Sequence, residues 1–360
     1  MNTKLKELLR NVPAEFGNLA CGDVYIGAQG VVELNILGHS FPGWCSGKEL
    51  CEIADELSDF VLEMKKVKWV FAAEMSKLSD AERMALLERN QITRAMTNRQ
   101  NGVHVFINDK QDTECYINDE EHLTFVCYRP GLDSVEAVRV QLSNMLKQCR
   151  KKLKLAYDKA NGYLFSDPVK CGEPTYFSMY LHLPALRMAQ RMGFAQDSMD
   201  ELGAFFMPFF ETSGDQDPGD IYLLSSPSIQ PEDMDEVLVS IEDVANNICD
   251  EELIERERLC KKKVVRERIA AACETLTSGE GIKYKDMLGA ISMVRMGIYA
   301  GVLKPACSVA DMRANLSQVY WQTAPAYQNV VLGISKPKER RLARAAYTKD
   351  LILNKLGIKI

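Results

Sequence analysis

The stretch Asn118-Asp119-Glu120-Glu121-His122 sets three consecutive acids between segments that alternate apolar and polar residues. Residues 103–107 and 114–117 alternate on either side of a turn-rich tripeptide at 108–110, and residues 123–127 alternate after the acids. A period of two is typical of β-strands that bury one face. The pattern therefore predicts a β-hairpin that leads into the acidic motif and a further strand that leaves it.

Glu120 and Glu121 have two interpretations at this point. In the first, at least one carboxylate projects into a cleft, where it can serve as a general base. In the second, both belong to a solvated acidic turn at a strand edge, which is the ordinary place for charged side chains. The motif alone leaves both open.

The segment from residue 78 to residue 186 resembles the bacterial protein-arginine kinases of the guanidino-phosphotransferase family, which also contains creatine and arginine kinases. The family's Asn-Glu-Glu-Asp-His-Leu corresponds to residues 118–123, and residues 294–302 resemble the helical signature of the kinases' C-terminal domain. The other matching runs are residues 78–83, 88–93, 162–164 and 181–186.

The resemblance implies an α+β fold in two parts. Residues 1–258 are expected to form an antiparallel β-sheet flanked by helices, as in the catalytic domain of a guanidino kinase. Residues 259–360 are expected to form an all-helical domain through which the protein dimerises. The apolar positions offered for this interface are Leu288, Ile291, Val294 and Ile298.

The resemblance also identifies five positions at which the family has phosphate-binding arginines. None of the five is basic in this chain, and they are Gln29, Val31, Thr124, Tyr176 and either Met207 or Pro208. Asp167 stands at the position of the family's substrate-side cysteine. Lys170 is the nearby cation that a rebuilt nucleotide site would use.

Other functional positions of the family are retained. Glu120 corresponds to the catalytic base, beside Glu121, and Asn118 and His122 are unchanged. Near the C-terminus, Arg340 and Arg344 match the two arginines of the family's phosphoarginine pocket, Arg-Asp-x-x-Arg-Ala, but Arg341 replaces its aspartate. A basic last helix that faces solvent is the alternative interpretation.

Composition limits the classes of protein to which the chain can belong. With 46% hydrophobic residues, the chain can bury one large or two ordinary cores. Its net charge of −6 gives no general attraction to nucleic acid or anionic lipid, although residues 149–154 and 336–344 are locally basic.

No apolar run reaches the roughly 18 residues that a membrane helix needs, and residues 1–16 predict a short amphipathic helix without a signal-peptide core. We expect a cytoplasmic protein that binds neither nucleic acid nor membrane.

The eleven cysteines are scattered, without a CxxC pair, and there are only four histidines. This spacing excludes a zinc-finger pattern and disfavours a disulfide framework, so we expect no metal site and free thiols.

Periodicity predicts the remaining elements. Apolar residues at helical spacing predict helices over residues 47–76, 79–95, 135–159, 231–276, 284–302 and 309–317. Strands are predicted over residues 23–26, 205–210 and 220–225.

These observations support two hypotheses of different class. Phosphoryl transfer depends on positioning and on cations around the triphosphate, so loss of all five arginines predicts a catalytically degenerate kinase. Such a protein would act as a dimeric binding or regulatory module without a cofactor, and the resemblance offers a zinc-finger adaptor or a Clp-type unfoldase as partner. The alternative is an active protein-arginine kinase that uses ATP and magnesium in a rebuilt nucleotide site.

Overall fold

An eight-stranded antiparallel sheet forms the centre of the computed structural model, which describes residues 3–98, 101–210, 217–227 and 234–359. Its strands follow the order β2-β3-β4-β5-β1-β8-β10-β9, and β6 and β7 form a separate ribbon. The strands are β1 (Tyr25–Leu34), β2 (Trp69–Glu74), β3 (His104–Asn108), β4 (Thr113–Ile117), β5 (Leu123–Pro130), β6 (Tyr157–Asp158), β7 (Gly162–Tyr163), β8 (Thr175–His182), β9 (Phe205–Pro208) and β10 (Ile221–Ser225).

Helices surround this sheet and make up the C-terminal part. They are α1 (Thr3–Arg10), α2 (Ala14–Gly17), α3 (Gly47–Leu62), α4 (Asp80–Leu87), α5 (Arg94–Asn98), α6 (Ser134–Lys152), α7 (Pro184–Met188), α8 (Met192–Asp200), α9 (Met234–Cys260), α10 (Lys263–Thr277), α11 (Tyr284–Tyr299), α12 (Val309–Gln322), α13 (Pro325–Val330) and α14 (Pro337–Asp350). The antiparallel sheet, its flanking helices and the helical C-terminal region confirm the predicted α+β fold class. Within the described ranges, the helices lack an apolar stretch of the length that a bilayer crossing requires.

One face of the sheet is closed by α6. A Cβ atom at Gly30 in β1 would lie only 2.4 Å from Cγ1 of Val138 and 2.7 Å from Cδ1 of Leu142. The helix therefore approaches the strand closely because this position has no side chain. Successive side chains of a strand point to opposite faces, so the neighbours of Gly30 along β1, Gln29 and Val31, point to the other face.

Several predicted boundaries were wrong. The predicted helix over 47–76 ends at Leu62, and β2 follows it, because residues 69–73 have strand-forming character and pair with β3. The predicted helix over 135–159 ends at Lys152, and the one over 231–276 is interrupted between Cys260 and Lys263. The predicted helix over 79–95 is two short helices, α4 and α5. Sequence reasoning missed β2 and β8 entirely.

The C-terminal helices pack onto the sheet domain. One hydrophobic cluster joins Phe16, Ile26 and Tyr180 from the N-terminal part to Leu316 and Trp321 of α12. The predicted boundary near residue 258 falls in the last turn of α9, and the division into 1–258 and 259–360 stays a prediction.

The apolar face of α11 belongs to the same cluster. Leu288, Ile291 and Val294 are at most 1% exposed, and Ile298 is partly buried against them. The reason given for a dimer interface at these four residues was therefore wrong, because they are covered within one chain.

Candidate functional site

Four of the five substituted positions meet in one cavity of about 300 Å³ on the sheet face opposite α6. Gln29 and Val31 come from β1, Tyr176 from β8 and Met207 from β9. The antiparallel register brings them together, since Val31 lies opposite Tyr176. The positions assigned to phosphate binding therefore share a cleft, although β8 was not predicted.

Glu33 lines the same cavity and was missed in the sequence. It follows Val31 by two residues, so the strand period that places Val31 in the cleft also places Glu33 there. Glu33 is 8% exposed, and within the described residues its carboxylate accepts one long hydrogen bond, 3.5 Å, from Oη of Tyr176. Burial raises the pKa of Glu33 to about 7, the positive charge of Lys170 lowers it, and Glu121 and Glu120 add to the increase.

Lys170 closes the cleft beside the retained base. Its Nζ lies 3.3 Å from Oε2 of Glu120, and the two side chains are 40% and 57% exposed. Burial lowers the pKa of Lys170, but the carboxylates of Glu33 and Glu120 raise it by more than burial lowers it. The pKa of Lys170 is therefore above its usual value. The lysine therefore stays protonated in the cleft.

Glu121, the neighbour of Glu120, faces the interior. Its side chain is fully buried and accepts hydrogen bonds from Nδ2 of Asn35 at 2.6 Å and from Oγ of Ser166 at 2.6 Å. The backbone N–H of Ser166 also donates to it at 3.1 Å. A carboxylate held by these donors anchors the residue after β1 to the segment after β7, and its burial leaves no exposed surface to a ligand.

Asn118 and His122 hold the shape of the motif. Asn118 has a positive φ of 58°, and its Nδ2 donates to the carbonyls of Leu50 and Gly102 at 2.8 Å each. Burial lowers the pKa of His122 to about 4, so the imidazole ring is neutral. Its Nδ1 accepts a hydrogen bond from the backbone N–H of Ile36, and its Nε2 donates one to the carbonyl of Ser40. Both residues are placed to stabilise the turn that presents Glu120.

Several predicted positions lie outside the cavity lining, among them Glu120, which is connected to it by its contact with Lys170, and also Thr124 and Asp167. Thr124 is buried next to Glu33 in the register of β1 and β5, and its Oγ1 has no hydrogen-bond partner in the part of the chain that the structure describes. Asp167 is exposed, and its carboxylate accepts from the N–H of Val169 at 3.0 Å. It caps the short 3₁₀ turn, Pro168–Lys170, that carries Lys170.

Arg344 is buried among backbone carbonyls. Its guanidinium donates to the carbonyl of Thr323 at 2.8 and 3.0 Å, to that of Ile282 at 2.9 Å and to Oε1 of Gln328 at 3.1 Å. Burial lowers its pKa to about 10. Arg340 is partly exposed and donates to the carbonyls of Ile334 and Ser335, which precede α14. The two arginines predicted for a phosphoarginine pocket thus have different surroundings.

The charge of the cleft is unsuited to a polyphosphate. Among the described residues that line it, Lys170 is the one cation, and Glu33 and Glu173 are carboxylates. Of the internal segments that the structure does not describe, 211–216 and 228–233 contain no lysine or arginine, and 99–100 contains Arg99. No group of three histidine, cysteine or acidic residues suited to a metal ion occurs in the described ranges. The described residues that line the cleft therefore do not fit a triphosphate.

A larger cavity of about 450 Å³ lies between the sheet, α4 and α11. It is lined mainly by aromatic and apolar side chains such as Phe16, Phe210 and Tyr284. It contains none of the predicted site residues, so we place the candidate site in the smaller cleft.

The fold, the acidic motif and the strand positions around the cleft are those of a guanidino phosphotransferase. The family model for the "ATP:guanido phosphotransferase, C-terminal catalytic domain" matches residues 52–252, and the chain belongs to this family.

Within the family, the chain is similar to protein-arginine kinases. It is 27% identical to that of Caldanaerobacter subterraneus subsp. tengcongensis over 86% of this chain and 90% of the relative. It is 23% identical to that of Bacillus subtilis over 86% of this chain and 85% of the relative.

Solved structures show the same fold at lower identity. Lombricine kinase superposes with a TM-score of 0.53 at 15% identity, over 67% of this chain and 68% of that enzyme. The duplicated taurocyamine kinase from Schistosoma mansoni gives a TM-score of 0.54 at 16% identity, over 68% of this chain. The match covers 35% of that longer, duplicated enzyme.

Proposed function

We propose that this protein is a catalytically degenerate guanidino kinase that binds an arginine side chain of a partner in its cleft and transfers no phosphoryl group. The observation that carries the proposal is Glu33, a buried carboxylate in the cavity formed by the positions that hold arginines in the family. The substitution pattern reverses the charge preference of the cleft from anions to cations.

The loss of cations argues against catalysis. One charge-stabilising donor is worth roughly 10²–10³ in rate and an arginine finger roughly 10³–10⁵. Lys170 supplies a single positive charge, and it is shared with Glu33 and Glu120. A triphosphate in this cleft would meet those two carboxylates with one lysine to neutralise it.

A guanidinium matches the same groups. Its planar donors pair with carboxylates in a fork geometry, and Glu120 is an exposed carboxylate 3.3 Å from the ammonium group of Lys170, which lines the cleft. The inner carboxylate of Glu33 then gives the cation a second, desolvated partner. Because Lys170 competes for the same acids, we expect weak binding that falls with added salt.

Calorimetric titration with an arginine-containing peptide, and separately with ATP and magnesium, tests the proposal. We expect heat of binding with the peptide and none with the nucleotide. Glu33→Gln and Glu120→Gln should each weaken peptide binding, while Glu274→Gln, at an exposed position on α10, should leave it unchanged. Tight binding of ATP with magnesium, or a peptide titration that both cleft variants leave unaltered, would overturn the proposal.

The assembly and location of the protein are further parts of this proposal. Homodimerisation through residues 259–360 and partnership with a zinc-finger adaptor or a Clp-type unfoldase rest on the resemblance to protein-arginine kinases. All eleven cysteines are free thiols, which supports a reducing, cytoplasmic location. Light scattering of the full chain tests the dimer: a monomer at micromolar concentration would contradict it.

A further inference from the structure

A basic groove runs along the α6 side of the sheet, away from the cleft. Its volume is about 570 Å³, and its walls are the loop between α3 and β2, the turn between β3 and β4, and one face of α6. The basic residues that line it are Lys65, Lys66, Lys68, Lys110 and Arg129, against two acids, Asp109 and Asp112. In a chain with a net charge of −6, this is a local excess of positive charge.

Only part of this charge is neutralised within the groove. Arg129 pairs with Asp112 at 2.8 Å, and Lys68 lies 4.0 Å from Asp109 with its side chain 78% exposed. The second contact is too long and too solvated to hold the lysine. Lys65, Lys66 and Lys110 have no acidic partner within 4.0 Å in the described part of the chain.

The loop that carries the lysines is fixed to α6. The backbone N–H of Lys65 donates to Oε1 of Gln148 at 2.9 Å, and Nε2 of Gln148 donates back to the carbonyl of Lys65 at 3.4 Å. The amides of Asn144 and Gln141 are likewise used within the groove walls. The lysine ammonium groups are therefore the donors that this surface offers to a ligand.

Lys66 occupies a backbone conformation that favours glycine. Its φ is 70°, which few non-glycine residues adopt and which costs free energy relative to glycine. The turn would form more easily with glycine at this position. The residue at this position is an exposed lysine, so its ammonium group is available to a ligand.

We propose that this groove binds an acidic peptide segment of a partner protein. Charge complementarity favours an anionic ligand, and Val140 on α6, 52% exposed, offers an aliphatic contact beside the lysines. Nucleic acid is disfavoured because the described residues that line the groove include no aromatic side chain for base stacking, and the one arginine among them is already paired with Asp112.

Fluorescence anisotropy with a labelled glutamate-rich peptide that contains a central leucine tests the proposal. The full chain should bind it, and the affinity should fall as salt is added. Lys65→Gln/Lys66→Gln/Lys110→Gln should weaken binding about tenfold or more, since three charge contacts are lost. A charge-matched control, Lys262→Gln/Lys338→Gln/Lys349→Gln, removes three exposed lysines elsewhere and should leave the affinity within about twofold of the wild type.

Lys66→Gly separates binding from folding. It should weaken peptide binding while the urea midpoint stays equal or rises, because glycine relieves the positive φ. Absence of peptide binding, equal loss in the triple variant and its control, or tighter binding of a labelled single-stranded RNA than of the peptide would each overturn the proposal. The groove and the cleft lie on opposite faces, so variants of Glu33 should not alter this binding.

Discussion

Nζ of Lys170 lies 3.3 Å from Oε2 of Glu120, so the retained base of the family motif is paired with a lysine of the same chain. Both side chains are substantially exposed, and an ion pair of this kind contributes little to stability. The ion pair matters for ligand binding in the cleft, because any cationic ligand that approaches Glu120 must compete with the lysine of the protein itself.

The first prediction concerns this competition. Lys170→Met should strengthen binding of an arginine-containing peptide by about three- to tenfold, because it removes a positive charge beside two carboxylates. Calorimetric titration at low ionic strength measures the change, with Lys262→Met at an exposed site as control. A loss of peptide binding in Lys170→Met would show that the lysine helps to form the site.

The second prediction is that the purified protein transfers no phosphoryl group from ATP to free arginine or to arginine in a protein. A retained Glu120 would supply base catalysis worth roughly 10²–10⁴, but none of the five positions matched to the family's phosphate-binding arginines is basic. Mass spectrometry for phosphoarginine after incubation with ATP and magnesium measures the outcome, under non-acidic handling because the phosphorus–nitrogen bond is acid-labile.

Glu120→Ala is the control for that experiment. Phosphoarginine in the wild type and not in Glu120→Ala would mean that the protein is an active kinase. Lys170→Met would then be expected to abolish the activity, because Lys170 is the cation among the described residues that line the cleft.

The third prediction separates the two adjacent acids. Glu121→Ala should lower the free energy of unfolding by about 2–4 kcal/mol, because it leaves the buried donors of Asn35 and Ser166 without their acceptor. Glu120→Ala should change it by less than about 0.5 kcal/mol, as is usual for exposed residues. Urea unfolding followed by circular dichroism measures both, and similar effects of the two substitutions would contradict their assignment.

The fourth prediction is a pH dependence that originates at Glu33, whose pKa is raised in the folded state to about 7 from an ordinary value of 4.5. Between these values the folded state holds a proton that the unfolded state has lost, so this group lowers the free energy of unfolding as pH rises. Glu33→Gln removes the effect. The variant should gain stability relative to the wild type from about pH 5 to about pH 8, on the order of 1–3 kcal/mol.

Urea unfolding at intervals across that pH range checks the fourth prediction. Glu274→Gln, at an exposed site, should follow the wild-type curve throughout. A difference between Glu33→Gln and wild type that does not vary with pH would mean that Glu33 does not titrate in this window.

The fifth prediction concerns the C-terminal arginines. Arg344→Lys should destabilise the fold by about 2–4 kcal/mol, because a lysine cannot reproduce the hydrogen bonds to Thr323, Ile282 and Gln328. Arg340→Lys, at a partly exposed site, should cost less than about 1 kcal/mol. Thermal unfolding compares the two, and equal stability of both variants would contradict a structural role for Arg344.

The sequence by itself determined which chemical groups are missing. Gln29 and Val31 carry no positive charge in any fold, so the absence of basic side chains at the positions matched to the family's arginines follows without coordinates. Alternating segments around the acidic motif also predicted its hairpin and the following strand, because a local pattern of period two needs only neighbours in the chain to be recognised. Both are properties of residue type and short spacing.

Tertiary structure decided which groups face each other. Glu120 and Glu121 are equivalent in the sequence, but strand packing buries Glu121 against Asn35 and leaves Glu120 beside Lys170. Glu33 enters the cleft only because β8, which local patterns did not predict, pairs with β1 and completes its wall. Burial, ion pairing and competition for a ligand depend on distances between residues far apart in the chain. Those distances are set only when the strands have paired into the folded sheet.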